Sequence, residues 1–487
     1  MKFNLKPIVA AVLATGFGSA AYASNDIIQA SGASAFRGTA EGLVVGFCNT
    51  GSVTKYVSGV VNTFNSVSHS GDVTRIICTS TNTLYGINNT LDFSYDSFGG
   101  SWKGFTASNS ISIPIDNTVN QTPVQTVNTV GCTGATSTVT IAGVTLSQIA
   151  GCGEIAPQTP GGVTSIGFTD VEPALFFGTV NDQPGHGVTF PAKLGATSQQ
   201  VPLLGVTWAV AASKPLWLAL EADQSAAGIL PASCATNIDE SNQVCAPFIT
   251  KAQYRSIVQG AGDGDLHFDL VNLFTGTAPS GGVLTLERRD LGSGTQSASN
   301  AYFLNEGCSS AALIDIQASV AAGMTVNINP STGQVKNGLK ADVYGIGVFS
   351  ADNCPTAATT FSGTTAGSYG CLKLPSTAIS ALAKPSVTGA VGYPLASNVV
   401  VGMYDYTSEE QMYVRSGASA AETNFANQLE IKTAAFTTNA GFYNLTGITT
   451  QPMTVPTTGT YYRVGSAAAA TPHAGGSNMC AGLVDTF

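Results

Sequence analysis

Apolar and polar positions alternate along several short stretches of the chain, and these stretches run into glycine- and serine-rich turns. The segment Leu284–Leu304 shows the pattern most completely. It begins with leucine and threonine in alternation, as in a half-buried strand. Arg288 and Arg289 follow, and after the turn Gly292–Thr295 apolar residues return at helical spacing. The pattern predicts a strand, a tight turn and a helix.

The turn after Arg289 has the chemistry of an anion site. The start of a helix carries unpaired N–H groups and a partial positive charge. The glycines allow these N–H groups to converge, and Ser293 and Thr295 add hydroxyl donors beside a guanidinium. A plain surface loop with a capping residue has the same local pattern, so this stretch alone leaves both interpretations open.

A second unit of the same kind lies near the start of the chain. A short strand, Ser24–Ile28, enters a glycine turn, and a helix is expected from about Ala35 to Phe47 with Ser34 as its N-cap. Arg37 falls in the first helical turn. It is a further candidate for the same anion, although an arginine at such a place is more often only solvated.

Two further strands also end in polar turns. Leu91–Tyr95 alternates and runs into the Gly/Ser turn Phe98–Phe105, which contains Ser101. Val163–Phe168 leads into an acidic turn that contains Asp170. Ligands of α/β folds lie at the carboxyl ends of strands. We therefore expect the three Gly/Ser turns and Asp170 to meet.

The rest of the chain gives a coarser prediction. Residues 107–162 are low in charge and have the composition of an insertion. The apolar run Val201–Ala212 predicts a buried strand that crosses between domains, and Phe248–Gly260 a helix capped by Thr250. Beyond these, we expect strands at Ala341–Phe349 and Val387–Val401, helical segments within Glu409–Leu429, and a largely irregular tail from Thr449.

The first 23 residues have the pattern of an export signal. Lys2 and Lys6 precede the apolar run Ile8–Ala14, and the small-residue site Ala21-Tyr22-Ala23 would leave Ser24 first. No later run reaches the roughly 18 apolar residues that span a bilayer. The sequence therefore predicts a periplasmic or secreted protein without a membrane insertion.

Composition narrows the classes of function. Charged residues make up 10% of the chain, the net charge is −10, and no basic run occurs, which argues against nucleic acid as a partner. An acidic total does not exclude an anion, because local hydrogen bonds hold a buried oxyanion. The four histidines form no His-x-x-x-His pair, and neither a G-x-S-x-G nor a Walker motif occurs. We expect no enzyme, no cofactor and no metal site.

Ten cysteines in an exported chain predict disulfides. Short loops favour four pairs and leave two residues for a fifth, although spacing alone does not fix the connectivity. The expected pairs are Cys48–Cys78, Cys132–Cys152, Cys234–Cys245, Cys354–Cys371 and Cys308–Cys480.

Several segments, in order, resemble the periplasmic phosphate-binding proteins that serve phosphate ABC transporters. LTLERRDLGSGTQSASNAYFL, from Leu284 to Leu304, is similar to the family's strand, paired arginines and GSGT helix start. ASGASAF, YDSFGGSWKGF and IGFTDVEP are similar to its two glycine-rich anion loops and its Ser-Asp turn. ITKAQYRSIVQG and TGAVGYPL resemble a following helix and a Gly-Tyr-Pro return strand. Together the segments cover about half of the chain that remains after the signal.

This resemblance implies an α/β, two-lobed type II periplasmic-binding-protein-like fold, with mixed sheets flanked by helices and loop-rich, disulfide-tied insertions. The first lobe would comprise residues 24–203 and 392–487, with the insertion at about 107–162, and the second lobe residues 204–391. The lobes would close on a ligand around a hinge. Carried over position by position, the anion-binding residues would be Ser34, Ser101, Asp170, Arg289, Ser293, Gly294 and Thr295.

In the resembled family each group has a role. Arg289 would supply a bidentate fork, Gly294 its N–H, and Asp170 would accept a proton from the ligand. The family's acid two residues after the second arginine is Leu291 here, and Asp290 lies one residue earlier. The implied function is capture of phosphate or a related oxyanion by a monomer that feeds an inner-membrane ABC permease. The alternative is a surface, structural or adhesive protein of the same fold with a vestigial pocket.

Overall fold

The computed structural model describes residues 27–64, 67–80, 90–108, 124–156, 164–171, 173–176, 199–262, 269–304, 324–357, 367–374, 392–400, 404–415, 417–436, 441–444, 453–454, 460–463 and 483–486. The expected signal at 1–23 and the expected pair Cys308–Cys480 lie outside these residues.

The strands and helices alternate along much of the chain. The strands are β1 (Ile27–Gly32), β2 (Thr54–Ser58), β3 (Asn62–Phe64), β4 (Val67–His69), β5 (Val73–Thr79), β6 (Thr90–Asp96), β7 (Thr126–Val127), β8 (Thr136–Ile141), β9 (Val144–Cys152), β10 (Glu154–Ile155), β11 (Ile166–Thr169), β12 (Gln199–Ser213), β13 (Leu284–Arg289), β14 (Met324–Asn329), β15 (Gly345–Ser350), β16 (Tyr369–Cys371), β17 (Thr407–Val414), β18 (Phe442–Tyr443), β19 (Met453–Thr454), β20 (Thr460–Arg463) and β21 (Leu483–Thr486).

Helices connect many of these strands. They are α1 (Arg37–Val45), α2 (Gly100–Ser108), α3 (Lys214–Ala226), α4 (Lys251–Gly262), α5 (Gly294–Leu304), α6 (Thr332–Ala341), α7 (Ala396–Val400) and α8 (Ala420–Ala434), with short 3-10 turns at Pro173–Phe176, Ala232–Thr236, Leu270–Leu273 and Ala351–Asn353. None of the described helices is long and apolar enough to cross a membrane.

One large mixed sheet organises these elements. Its strand order is β14-β13-β15-β12-β17-β11-β1-β6-β5-β2-β9-β8, with β16 and β18 paired to β12. In the first half of the sheet β1 lies parallel to β6 and β11, and in the second half β13 lies parallel to β14 and β15. Helices pack against both halves, so the expected mixed α/β class is confirmed.

The long strand β12 joins the two halves. Its first part, Gln199–Thr207, pairs antiparallel with β17, and its second part, Trp208–Ala212, pairs antiparallel with β15. Side chains from Leu203 to Ala212 are buried almost without interruption, which is what a near-continuous apolar run predicts for a central strand. The expected buried strand is therefore confirmed, whereas the division into two domains and the lobe boundaries stay predictions.

The largest apolar core of the described residues extends across both halves of the sheet, and two small clusters lie apart from it. Trp208 and Trp217 are both fully buried, and their indole N–H groups donate to Ser408 Oγ at 2.8 Å and to the Cys371 carbonyl oxygen at 3.1 Å. A buried indole needs such a partner, because an unpaired N–H would cost about 1–3 kcal/mol.

Four of the expected disulfides are confirmed. The bonded pairs are Cys48–Cys78, Cys132–Cys152, Cys234–Cys245 and Cys354–Cys371. The second of these ties the predicted insertion, in which β8 and β9 form a hairpin that extends the sheet through the parallel pair β2–β9. The described part of the insertion is thus sheet as well as loop.

The remaining element predictions hold in part. The helix expected within Glu409–Leu429 is present as α8, and residues 407–414 before it form the buried strand β17. The strand expected at Ala341–Phe349 is present as β15, although Ala341 itself ends helix α6. The strand expected at Val387–Val401 is wrong at Ala396–Val400, which is helical. The described residues of the tail include β19, β20 and β21, which form a small sheet.

Local capping chemistry accounts for two of the helix starts. Thr250 Oγ1 accepts from the backbone N–H of Gln253 at 3.1 Å, and the Gln253 side chain accepts from the Thr250 N–H at 2.9 Å. This reciprocal pair confirms the predicted start of α4. In α8 the same arrangement joins Ser419 and Glu422.

Candidate functional site

The turns predicted to bind an anion lie at the carboxyl ends of neighbouring parallel strands. Ser34 follows β1, Ser101 follows β6 at the start of α2, and Asp170 follows β11. Because β1 is parallel to both β6 and β11, the three residues share one edge of the first half of the sheet. Helix α2 packs tightly there: a Cβ on Gly104 would lie 2.2 Å from the Phe168 carbonyl oxygen.

The start of helix α5 meets this edge from the second half of the sheet. A Cβ built on Gly294 would lie 2.3 Å from Ser101 Oγ and 2.9 Å from Asp170 Oδ2, so only glycine permits the contact. The backbone N–H of Trp102 donates to the Gly292 carbonyl oxygen at 3.0 Å. The first turns of α2 and α5 therefore touch, and their N–H groups and partial positive charges lie close together.

Ser101 and Asp170 form a buried polar pair between these helix starts. Ser101 Oγ donates to Asp170 Oδ2 at 3.1 Å and accepts the Asp170 N–H at 3.2 Å. Asp170 is 1% exposed. Burial raises the pKa of its carboxyl, while hydrogen bonds from Glu410 and Ser101 and the charge of Arg289 act in the opposite direction.

Arg289 reaches across from the end of β13. Its Nη1 donates to Ser34 Oγ at 3.2 Å and to Thr332 Oγ1 at 3.3 Å. The backbone carbonyl oxygens of Asn329 and Pro330 accept from its Nε and Nη2 at 3.2 and 3.0 Å. The guanidinium is thus held mainly by neutral oxygens, although it is only 1% exposed.

The nearest carboxylate to this guanidinium comes from Asp290. Its Oδ1 lies 3.8 Å from Arg289 Nη2, a distance at which an ion pair forms without a good hydrogen bond. Burial lowers the pKa of Arg289, and the charges of Asp290, Asp170 and Asp72 raise it. Leu291 is a buried apolar residue and offers no carboxylate to the guanidinium. Asp290 is therefore the acidic residue beside this arginine.

The turn before α5 places its hydroxyl groups in the interior. Ser293 Oγ accepts from the Gln296 N–H at 3.4 Å and so caps the helix. Gln296 Oε1 accepts the Arg289 N–H at 3.1 Å, which fixes the strand against the helix. Thr295 Oγ1 is buried and has no hydrogen-bond partner among the described residues. A buried hydroxyl of this kind is a candidate ligand donor.

The helix cap expected in the first turn needs correction, whereas the anion contact expected of Arg37 stays a prediction. The N-cap of α1 is Phe36, without a side-chain cap, because residues 34–36 form an additional turn before the helix. The Ser34 hydroxyl is instead a partner of Arg289. Arg37 donates to the Gly71 carbonyl oxygen at 2.8 Å and to Ser97 Oγ at 3.0 Å, so its guanidinium ties two loops together.

Sequence reasoning missed two residues that contact the site. Glu410 lies on β17, within the range in which helical segments were expected, and its carboxyl group acts on the pKa of Asp170. Thr332 opens α6, which was not predicted, and it contacts Arg289. A signal for α6 was present, because Ser331 and Gln334 have the spacing of a capping box and the Ser331 side chain accepts from the Gln334 N–H. Glu410 had no comparable local signal.

The described residues offer no metal site at this edge of the sheet. Among them, Glu221, Cys234 and Cys245 form the single group of potential ligands close enough for a shared ion. Both of these cysteines are in a disulfide and do not provide thiolates.

Comparisons with known proteins give a limited similarity. No protein-family model and no curated protein matches the sequence. Among solved structures, the chain is similar to an ABC-type phosphate transport receptor from Vibrio cholerae, with 12% identity, a TM-score of 0.29, and coverage of 56% of this chain and 78% of that one. It is also similar to a possible phosphate binding protein from Planctomyces limnophilus DSM 3776, with 13% identity, a TM-score of 0.27, and coverage of 49% and 66%. Identities and TM-scores this low do not indicate which ligand this chain binds.

Proposed function

We propose that this protein binds phosphate, or a related tetrahedral oxyanion, between the turns that meet at Arg289. The observation that carries the proposal is a buried guanidinium held mainly by neutral oxygens beside the starts of α2 and α5. A buried positive charge costs several kcal/mol to desolvate unless an anion or several dipoles compensate it. An oxyanion in this place gains charge-assisted hydrogen bonds from all three sources.

Each predicted ligand has a chemical role in this proposal. Arg289 offers a planar fork that matches two oxyanion oxygens. The α5 start offers the Gly294 N–H and the hydroxyls of Ser293 and Thr295. Ser34 contributes a hydroxyl from the opposite side. The Ser101 hydroxyl already donates to Asp170 Oδ2, so Ser101 contributes by holding that carboxylate beside the anion. Ser34 already bonds Arg289, so an anion between them would replace one neutral bond by charged ones.

Asp170 would select among anions. As a carboxylate it accepts a hydrogen bond, and a protonated phosphate or arsenate has an O–H to give. A fully ionised sulfate has none, so two acceptors would face each other in a buried place. We therefore expect this protein to bind phosphate and arsenate more tightly than sulfate.

The proposal is for binding, without bond cleavage. Together with the expected export signal, it describes a periplasmic or secreted solute-binding protein that takes up phosphate for an ABC-type permease or scavenges it. The surface or adhesive alternative predicts instead that the same residues bind no anion.

Titration calorimetry with phosphate, arsenate and sulfate tests this function. We expect one-to-one binding of phosphate and arsenate, with weaker or undetectable heat for sulfate. Arg289→Ala should remove phosphate binding, because charged hydrogen bonds contribute about 1.5–3 kcal/mol each. Arg289→Lys keeps the charge without the fork and should weaken binding without removing it.

Lys340→Ala serves as the matched control, since it removes one positive charge from the exposed end of α6. It should bind phosphate like the parent. Thermal unfolding of each variant establishes that it is folded. Unchanged phosphate binding in both Arg289 variants would contradict the site, and no heat from the parent with any anion would favour the vestigial-pocket alternative.

A further inference from the structure

Glu410 lies directly opposite Asp170 in the middle of the sheet. Strands β11 and β17 are antiparallel, with Thr169 aligned to Gln411, so the next pair in the register is Asp170 and Glu410. On its other side Glu410 aligns with Leu204 of β12. Glu410 is fully buried, Asp170 is 1% exposed, and the two carboxyl groups are close enough that each acts on the other's pKa.

Among the described residues, no N–H or O–H group donates to the Glu410 carboxyl. Both of its carboxyl oxygens, and Oδ1 of Asp170, receive no hydrogen bond from an N–H or O–H group of the described residues. Two ionised carboxylates in contact in a buried place repel each other strongly, so such a pair holds one proton. The protonated carboxyl group can then donate its O–H to the ionised one.

The neighbouring groups decide which carboxyl carries this proton. Asp170 receives a hydrogen bond from Ser101 and lies within the field of the Arg289 guanidinium, and both favour its ionised form. For Glu410, burial and the charge of Asp170 both raise the pKa, well above its ordinary value. The proton therefore belongs on Glu410.

We propose that Glu410 is a positioning residue that carries a proton and donates it in a hydrogen bond to Asp170, so that Asp170 stays ionised and faces the anion as an acceptor. This inference rests on the proposed oxyanion function for its consequence, although the shared proton itself does not. With one negative charge on the pair, a further carboxylate at Asp290 and one positive charge on Arg289, the site has no excess positive charge before the anion enters. A second negative charge on Glu410 would oppose binding.

Other ionisable groups also act on this pair. Tyr95 is fully buried and its pKa is raised, first by burial and then by the charges of Glu410 and Asp170, so it stays neutral. Burial raises the pKa of Asp352 to about 6, and the charge of Asp170 contributes in the same direction. Arg289 is the positive group that acts on Asp170. The negative partners thus favour keeping the proton on the pair.

The proton on Glu410 can be tested without any ligand. The infrared difference spectrum between the parent and Glu410→Gln at neutral pH should show the C=O band of a protonated carboxyl in the parent only. Glu409→Gln, which removes the neighbouring carboxyl on the same strand, should keep the band. Its absence from the parent would overturn the inference, whether or not phosphate binds.

The pH dependence of unfolding gives a second ligand-free test. A carboxyl whose pKa is raised in the folded state keeps its proton while the unfolded chain loses it, so stability falls as pH rises from about 4.5 toward the folded pKa. Relative to Glu410→Gln, the parent should lose melting temperature as pH increases over this range. Equal slopes in the two proteins would contradict a protonated Glu410.

Phosphate titration then tests the positioning role. Glu410→Gln retains a donor toward Asp170, and its affinity should stay within about threefold of the parent, whereas Glu410→Ala removes the donor and should lose about tenfold or more. Equal losses in both variants, or none in Glu410→Ala, would overturn the role. If the parent binds no phosphate while the infrared band is present, the proposed function fails and the shared proton stands.

Discussion

In the proposed site, Arg289 and Asp170 are the two residues on which anion recognition would depend most. The guanidinium comes from β13, and its bond to Ser34 joins the second half of the sheet to the first. The carboxylate sits opposite, with Ser101 on one side and Glu410 on the other. Arg289 attracts negative charge, and the Asp170 carboxylate accepts a hydrogen bond from an O–H group of the ligand. Together they would favour a protonated oxyanion over other anions.

Asp170→Asn tests the acceptor role at the scale of one residue. The amide has nearly the same shape, but it replaces one acceptor oxygen by a donor. We expect phosphate affinity to fall by about tenfold or more and the preference for phosphate over sulfate to narrow. Competition calorimetry measures both values. Asp269→Asn, at an exposed position outside the site, is the control and should leave the preference for phosphate over sulfate unchanged. An unchanged preference in Asp170→Asn would contradict the acceptor role.

At the scale of elements, the close approach of α5 to α2 gives the site its shape. Gly294 permits the contact with Ser101 and Asp170, and the Trp102 N–H bond to Gly292 fixes it. The starts of the two helices then lie side by side. This convergence depends on residues far apart in the sequence, and it exists only once both halves of the sheet have formed.

Gly294→Ala tests this approach. The added Cβ would lie 2.3 Å from Ser101 Oγ, so either the serine or the helix must shift. We expect a lower melting temperature and at least about tenfold weaker phosphate binding, since overpacking costs about 1–3 kcal/mol. Gly333→Ala is the matched control in the first turn of α6, where an added Cβ meets only Ser331 Oγ at 3.5 Å. Similar effects from both substitutions would argue against the importance of the contact.

Local chemistry explains which elements could be predicted from the sequence. Leu284–Leu304 contains its own strand pattern, turn glycines and helix spacing, and the structure has β13 and α5 there. Glu410 shows the limit. Two adjacent glutamates favour a solvated helix by their intrinsic preference, yet all eight residues of β17 are buried between β11 and β12. Pairing with β11 and β12, which are distant in the sequence, makes these residues a strand. A single sequence does not show which segments will pair.

The site residues divide in the same way. Ser34, Ser101, Asp170 and Arg289 follow strands whose pattern was visible, so their common edge could be expected from the general rule for α/β sheets. The contact of Thr332 with Arg289 and the pair of Asp170 with Glu410 arise from sheet register and helix packing. These are properties of the tertiary fold and have no counterpart at a fixed spacing in the chain.

At the scale of the whole molecule, β12 couples the two halves of the sheet. It is hydrogen-bonded to β17 at one end and to β15 at the other, and its buried side chains belong to the core that both halves share. The proposed anion would add a second link between the halves, from Arg289 and α5 on one side to Ser34 and Ser101 on the other. The hydrogen-bond donors of the proposed site act locally. The net charge of −10 mainly affects how fast an anion arrives.

The most direct test of this account is the position of a bound anion. Arsenate has the shape and the proton of phosphate, and its arsenic atom can be located by an anomalous difference map from a crystal grown with arsenate. We expect one strong peak within hydrogen-bonding reach of the Arg289 guanidinium, the Gly294 N–H and the hydroxyls of Ser34 and Ser101. A peak at another place, or no peak at an arsenate concentration that saturates the protein in calorimetry, would contradict the proposed site.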